Sequence, residues 1–333
     1  MRHLPSLKQF EERHVIRLRG MVVAALRAIS PGRYKNPKYL KYVGWLQKLN
    51  VQNLLVGDPE KLRRMVAKAD TMLPNGAFWN PKSRCYDKAF AQLHKKLKKA
   101  FAYERFVDWK GTPKNPWCGR LLIKELAKKL KYCPYCNVET VYAFDYGDKL
   151  ARSAFDHYFP RIRYPYLGLS LYNLIPACAR CNTSFKGDGF EGLHDMAHPH
   201  VANEDIHKGM KFHLIFDSAN AFTSCTEKDV NSVVFAERHR GQFPKGVMWN
   251  NVFHVSDAYS ALFKSDAVDI YWKFAKYPQE YLKALSDELL RVGLPLPTVE
   301  RMVYGTSLDP DKINEHRFAK LALDIRETYC GDE

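Results

Sequence analysis

Apolar residues recur at helical spacing through the first third of the chain. Leu18, Val22, Leu26 and Ile29 share one face, and Pro31-Gly32 ends that run. Asn36-Pro37 opens a second predicted helix holding Leu40, Val43 and Leu46. Asp58-Pro59 supplies an N-cap and a first-turn proline for a third, running toward Met72. Pro74-Asn75-Gly76 and Asn80-Pro81 predict a loop. Phe90, Leu93, Leu97 and Phe101 then form the stripe of an amphipathic helix whose other faces carry Lys95, Lys96, Lys98 and Lys99. Gly111 to Pro116 is turn-rich and predicts a boundary. Leu122, Leu126 and Leu130, four apart, predict one more helix with Lys124, Lys128 and Lys131 on another face.

The period changes after this. Val138 to Phe144 and Ala154 to Phe159 read as strands with Tyr146-Gly147-Asp148 as the turn between them, and Leu171 to Pro176 as a short apolar strand. Pro165 and Gly168 make the segment from Pro160 irregular. A short helix is expected from Cys178 to Gly187-Asp188-Gly189, then a loop rich in histidine (His194, His198, His200, His207) whose ordinary reading is exposed surface. Phe212 to Phe216 and Ser232 to Ala236 read as strands. Helices are expected over Ser256 to Tyr277, Pro278 to Val292 with Gly293 as its C′ residue, and Pro310 to Tyr329 capped by Asp309. The class is therefore α+β: a helical region over 1–116, a central unit over 117–200 that holds a β-rich insert over 137–181, and a mainly helical region over 201–333.

Charge sharpens this division. The net charge of the 333 residues is +16. Residues 1–132 hold 30 Lys+Arg against 9 Asp+Glu, an excess of +21, and the remainder is −5. A basic N-terminal third fits a polyanion partner, most simply nucleic acid; its bland reading is a solubilising surface. No apolar run is long enough to span a bilayer or to form a secretory leader, which points to no membrane partner and to a cytoplasmic location.

In such a compartment, eight cysteines with two CxxC pairs favour metal over disulfides. Cys133-Pro-Tyr-Cys136 and Cys178-Ala-Arg-Cys181 are separated by 41 residues and can close a tetrahedral Zn²⁺ site. A small ββα unit buries little apolar surface, so a metal staple has a clear role. The competing reading of Cys-Pro-Tyr-Cys as a glutaredoxin-type dithiol needs a strand before it and a helix after it, opposite to the pattern here, and leaves the second pair unexplained.

Between the pairs lies Asp156-His157. Asp156 offers a hard oxygen to Mg²⁺ or Mn²⁺, His157 can take a proton from an attacking water, and Asn182 offers a weaker amide oxygen to the same ion. Both Asp156 and His157 can face one atom only if the strand ends or bends near Pro160. Lys186, one helical turn after Asn182, and Arg161 and Arg163 are candidates for gripping phosphate, as are Lys95 and Lys99 on the earlier helix.

In order along the chain, Cys133-x-x-Cys136, Phe155-Asp-His-Tyr-Phe-Pro160, Tyr172-Asn-Leu-Ile-Pro176, Cys178-x-x-Cys181-Asn182 and Lys186 resemble the HNH endonuclease superfamily. The resemblance covers roughly residues 130–200. It implies a zinc-stapled ββα-metal domain in which His157 is the general base, Asp156 and Asn182 hold the catalytic cation, and Asn173 braces the loop presenting the base. Asn182 stands where many members carry His, and Arg161-Ile-Arg-Tyr-Pro-Tyr-Leu replaces the usual Gly-Gly turn. That replacement, with Asn182-x-x-x-Lys186 and the later His198-Pro199, is similar to bacterial nucleases of anti-phage systems, such as Septu-type and retron-linked effectors, which implies a partner protein of such a system. The expected substrate is DNA. The alternatives are RNA, since both present phosphates, and a non-catalytic zinc-ribbon binding protein.

Overall fold

In a computed structural model of the chain, the structure describes residues 1–29, 36–73, 88–107, 117–187, 195–218, 226–291 and 293–331, without the side chains of 88–90. The fold is α+β. The helices α1 (Lys8–Ala28), α2 (Pro37–Gln47), α3 (Val51–Val56), α4 (Pro59–Met72), α5 (Lys88–Ala100), α6 (Tyr103–Val107) and α7 (Gly119–Ala127) precede the first CxxC pair. Local chemistry explains their starts. Asn36 and Asp58 accept hydrogen bonds from the amides of Lys38 and Lys61, and a proline follows each at the first helical position. Helix α3, capped by Asn50, and the single-turn α6 have too few turns for a periodic signal and were not expected. The predicted breaks at Pro31-Gly32, Pro74 to Pro81 and Gly111 to Pro116 lie outside the described residues, as do Cys85, Cys225 and His194.

The described strands make three antiparallel hairpins: β1 (Ala143–Tyr146) with β2 (Lys149–Arg152), β3 (Ala154–His157) with β4 (Leu174–Ala177), and β5 (Met210–Phe216) with β6 (Val230–Glu237). This corrects the expected pairing. The turn at Tyr146-Gly147-Asp148 closes β1 on β2, and β3 pairs instead with β4, Asp156 facing Ile175 and His157 facing Leu174. The reason is burial: β4 is apolar and wholly enclosed, and it needs a partner that is itself half inside the core.

After β4 a single π-helical stretch, Arg180–Lys186, carries Cys181, Asn182 and Lys186, and Gly187 closes it at φ +50°. A short turn α8 (Ile206–Gly209) leads into β5. The C-terminal helices are α9 (Pro244–Phe253), α10 (Val255–Leu262), α11 (Lys264–Lys276), α12 (Gln279–Leu290), α13 (Leu296–Tyr304) and α14 (Ala319–Tyr329). The helix expected from Ser256 to Tyr277 is broken at Phe263, which leaves helical geometry as its ring packs against Tyr259 and Phe318. Likewise Pro310–Glu315 is a separate 3₁₀ turn before α14.

The C-terminal region wraps the first cysteine pair. Trp249 donates its indole N–H to the Tyr135 carbonyl at 3.2 Å, and Tyr259 its hydroxyl to the Cys136 carbonyl at 2.8 Å. Asn137, at φ +56°, donates to the carbonyls of Ile313 and His316 and accepts from the Lys320 amide. Lys320 and Asp324 form a buried ion pair that also reaches β5 through the Met210 carbonyl and the Phe212 amide.

Candidate active site and metal centre

The two CxxC turns meet. The sulfurs of Cys133, Cys136, Cys178 and Cys181 all lie within 4.8 Å of one another and all four residues are buried. Tetrahedral coordination at a Zn–S length of about 2.3 Å spaces sulfurs about 3.8 Å apart, so the set fits one zinc ion. The turns are shaped by backbone bonds: the Asn137 amide donates to the Cys133 carbonyl, and the amides of Cys178 and Cys181 point at the sulfurs of Cys133 and Cys178. Hydrogen bonds from the other three thiols hold Cys136 well below its ordinary range, while burial pushes Cys133 up and bonds from the neighbouring thiols push Cys181 up. Arg180, inside the second pair, adds a positive charge beside Cys136.

The second centre lies on the β3–β4 hairpin and the π-helical stretch. Asp156 is buried, and both its oxygens are engaged: Oδ1 receives the Lys186 ammonium at 2.6 Å and Oδ2 the Tyr135 hydroxyl at 2.6 Å. Lys186 also donates to the His157 carbonyl at 2.5 Å. Lys186 was expected to face a phosphate; the structure instead buries the ammonium against Asp156, where an unpaired charge would be prohibitively costly. For the divalent cation expected on Asp156 and Asn182, these positions do not fit as they stand, because an ammonium and a phenol already close the carboxylate. Asn182 lies half-buried on the same stretch as Lys186.

His157 is half-buried. Its Nε2 lies 3.2 Å from the Gly168 carbonyl, which can only accept, so Nε2 carries the proton and Nδ1 the lone pair. Burial first, and then the charge of Arg161, push the imidazole down to about 3, leaving it neutral across the physiological range. Asn173 spans the loop after His157: its Oδ1 accepts from the Phe159 amide at 2.7 Å, and its Nδ2 donates to the carbonyls of Phe159 and Leu167.

The wall of this centre comes from helices far away in the chain, which sequence reasoning missed. The Tyr103 ring stands edge-on to His157 at 4.5 Å. Arg161 lies over the same ring and pairs with Glu104, while Arg163 pairs with Asp70. Both arginines, expected on substrate, are thus held by acids of the N-terminal region. Buried His94 binds the Ile162 carbonyl at 2.6 Å, pinning α5 to the loop between them. Lys95, Lys96, Lys98 and Lys99 are exposed along that helix.

The histidine loop is the other departure. His198 is fully buried against Tyr158, with ring centroids 4.1 Å apart, and its Nδ1 accepts from the His200 amide. It is enclosed because Glu204 caps the loop, accepting from the His198 amide while bound by Arg63. Among the described residues no third ligand joins His198 and His200.

No family model matches this chain, and no solved structure does. Protein ea31 of Escherichia phage lambda is 28% identical over 113 residues, 33% of each chain, so this chain spans about a third of that relative's length. No helix among the described residues is long and apolar enough to cross a membrane.

Proposed function

We propose that the chain is an HNH-type endonuclease that hydrolyses phosphodiester bonds in DNA, with a zinc-stapled ββα scaffold presenting His157 as the general base. One observation carries this reading. An antiparallel hairpin ending in His157 is followed by a short helix bearing Asn182, both beside a four-cysteine cluster, with Asn173 tying down the intervening loop. In this centre His157 holds a proton on Nε2 toward Gly168 and offers Nδ1 to a water. The exposed lysines of α5, pinned beside Arg161 and Arg163, supply backbone affinity. A divalent cation, when bound, would supply charge neutralisation on the scissile phosphate. The Asp156 carboxylate, closed by Lys186 and Tyr135, fits it poorly as it stands. A partner protein of an anti-phage system belongs to the same proposal.

A second reading, a zinc-stapled nucleic-acid-binding protein without catalysis, draws on the Asp156–Lys186 pair and on the low basicity of His157. Incubation with plasmid DNA and with RNA, in Mg²⁺, Mn²⁺ or chelator, separates the two. Cation-dependent DNA breakage supports the nuclease; binding without breakage in every condition supports the second reading. Breakage of RNA alone would reassign the substrate.

A further inference from the structure

Three aromatic residues stand in a row on the outward face of the β1–β2 hairpin. Tyr142, Phe144 and Tyr146 are 44%, 56% and 53% exposed, and their ring centroids are spaced 5.9 and 6.4 Å apart. Single exposed apolar residues are ordinary, but three successive outward positions are not, since the solvated face of an antiparallel pair is normally polar. The hairpin does not need these rings for its own packing. Its other face holds Ala143 and Leu150, which pack on the core, and Asp145, tied to Lys124 on α7 at 2.5 Å. Across the strands Phe144 faces only Ala151, which leaves the ring uncovered, and Tyr146 faces exposed Lys149.

The surroundings are basic. Lys149 lies across from Tyr146, and Lys131, whose carbonyl accepts from the Val141 amide, is exposed on the segment that pairs with the chain just before Tyr142. The exposed acids nearby are Asp148 in the turn, Asp145, which is paired with Lys124, and Glu139, which is paired with Arg180. Lysine is depleted at the centre of protein–protein interfaces, so a row of rings bordered by lysines fits a polyanion better than a protein surface. The pitch of the row is close to two base rises of a stacked strand, about 7 Å.

We propose that this face is a stacking platform for the unpaired bases of a DNA strand. Base faces stack on the rings whatever their sequence, while Lys131 and Lys149 follow the phosphates. The platform is joined to the candidate centre. Ser153 exchanges two hydrogen bonds with the Tyr142 backbone and precedes β3 directly, so Asp156 follows three residues later, about 10 Å along the strand. The choice of DNA rests on the nuclease reading; the preference for an unpaired strand does not.

The test is fluorescence anisotropy in the His157→Ala background, so that nothing is cut, with a labelled 15-nucleotide oligodeoxythymidine, the matching oligouridine and a 15-base-pair DNA duplex. The oligodeoxythymidine is expected to bind at least tenfold tighter than the duplex. Joint replacement of Tyr142, Phe144 and Tyr146 by Ala is expected to weaken it by roughly 30-fold or more, without changing duplex affinity or the salt slope. In Phe144→Trp the indole emission is expected to be quenched by the oligonucleotide. Equal affinity for strand and duplex, or no loss in the triple variant, overturns the platform. Tighter binding of the oligouridine overturns the DNA assignment. Plasmid cleavage by the unaltered protein is read separately: cleavage without strand preference removes the platform alone, and strand preference without cleavage removes the nuclease reading alone.

Discussion

The Lys186 ammonium sits 2.6 Å from Asp156 Oδ1, and both side chains are almost wholly buried. Thirty residues of chain separate them, and the pair locks the π-helical stretch to β3. Removing one partner strands the other charge in the core. Lys186→Met is expected to cost about 3–5 kcal/mol in urea unfolding, and Lys186→Met with Asp156→Leu to recover most of that loss. A cost below about 1 kcal/mol for the single change would show that the two groups do not pair.

Zinc removal has a different signature. The purified protein is expected to hold one zinc per chain by metal analysis, and Cys178→Ser to lose it, because three thiolates and a hydroxyl make a much weaker site. The loss should spread. The Tyr135 and Cys136 carbonyls anchor Trp249 and Tyr259, so the near-ultraviolet dichroism of these aromatics should collapse with the metal. Protein free of zinc, with disulfides in place of thiols, would instead favour redox chemistry.

Acid should destabilise the fold through His14. This residue is fully buried between the Leu169 carbonyl, which accepts from Nε2, and the Trp117 indole, which donates to Nδ1. Burial pushes it down to about 4, below its ordinary 6.5. The folded form therefore binds the proton less readily than the unfolded chain. The stability this provides, about 3 kcal/mol, is fully present above pH 6.5 and is lost as pH falls through about 4. His14→Gln keeps a donor and an acceptor without titrating. Urea midpoints at pH 7 and pH 4.5 should differ less in that variant than in the parent; an equal difference would exclude His14 as a source.

Asn173→Ala removes three hydrogen bonds at once and leaves the Phe159 amide unsatisfied in the core. A loss of about 2–4 kcal/mol is expected. If Asn173 serves only to hold the loop, zinc content should be unchanged while cleavage falls. Full stability and full activity together would deny it that role.

The parts legible in the sequence were those written in local pattern. Helix starts at Asn36 and Asp58 follow from cap chemistry, and the meeting of Cys133, Cys136, Cys178 and Cys181 follows from their spacing. Strand pairing was misread because Val138 to Phe144 and Ala154 to Phe159 flank a good turn, whereas burial of β4 decides the partner. Lys186 was placed correctly one turn beyond Asn182, but its partner lies on another element, and no local rule names it. Tyr103, His94 and Glu204 were missed for the same reason: each meets a partner (His157, the Ile162 carbonyl and Arg63) across a long stretch of chain, and only its contacts reveal it. A lone His94 on a lysine-rich helix gives no hint that it is buried.

The nuclease reading stands or falls on His157. The decisive measurement compares nicking of supercoiled plasmid in Mg²⁺ or Mn²⁺ by the unaltered protein and by His157→Ala, with zinc content and DNA affinity determined on both preparations. The expected result is cation-dependent cleavage that drops by at least a hundredfold in the variant, with zinc and affinity retained. Cleavage that survives the substitution unaltered, or no cleavage by the intact protein under either cation, contradicts it.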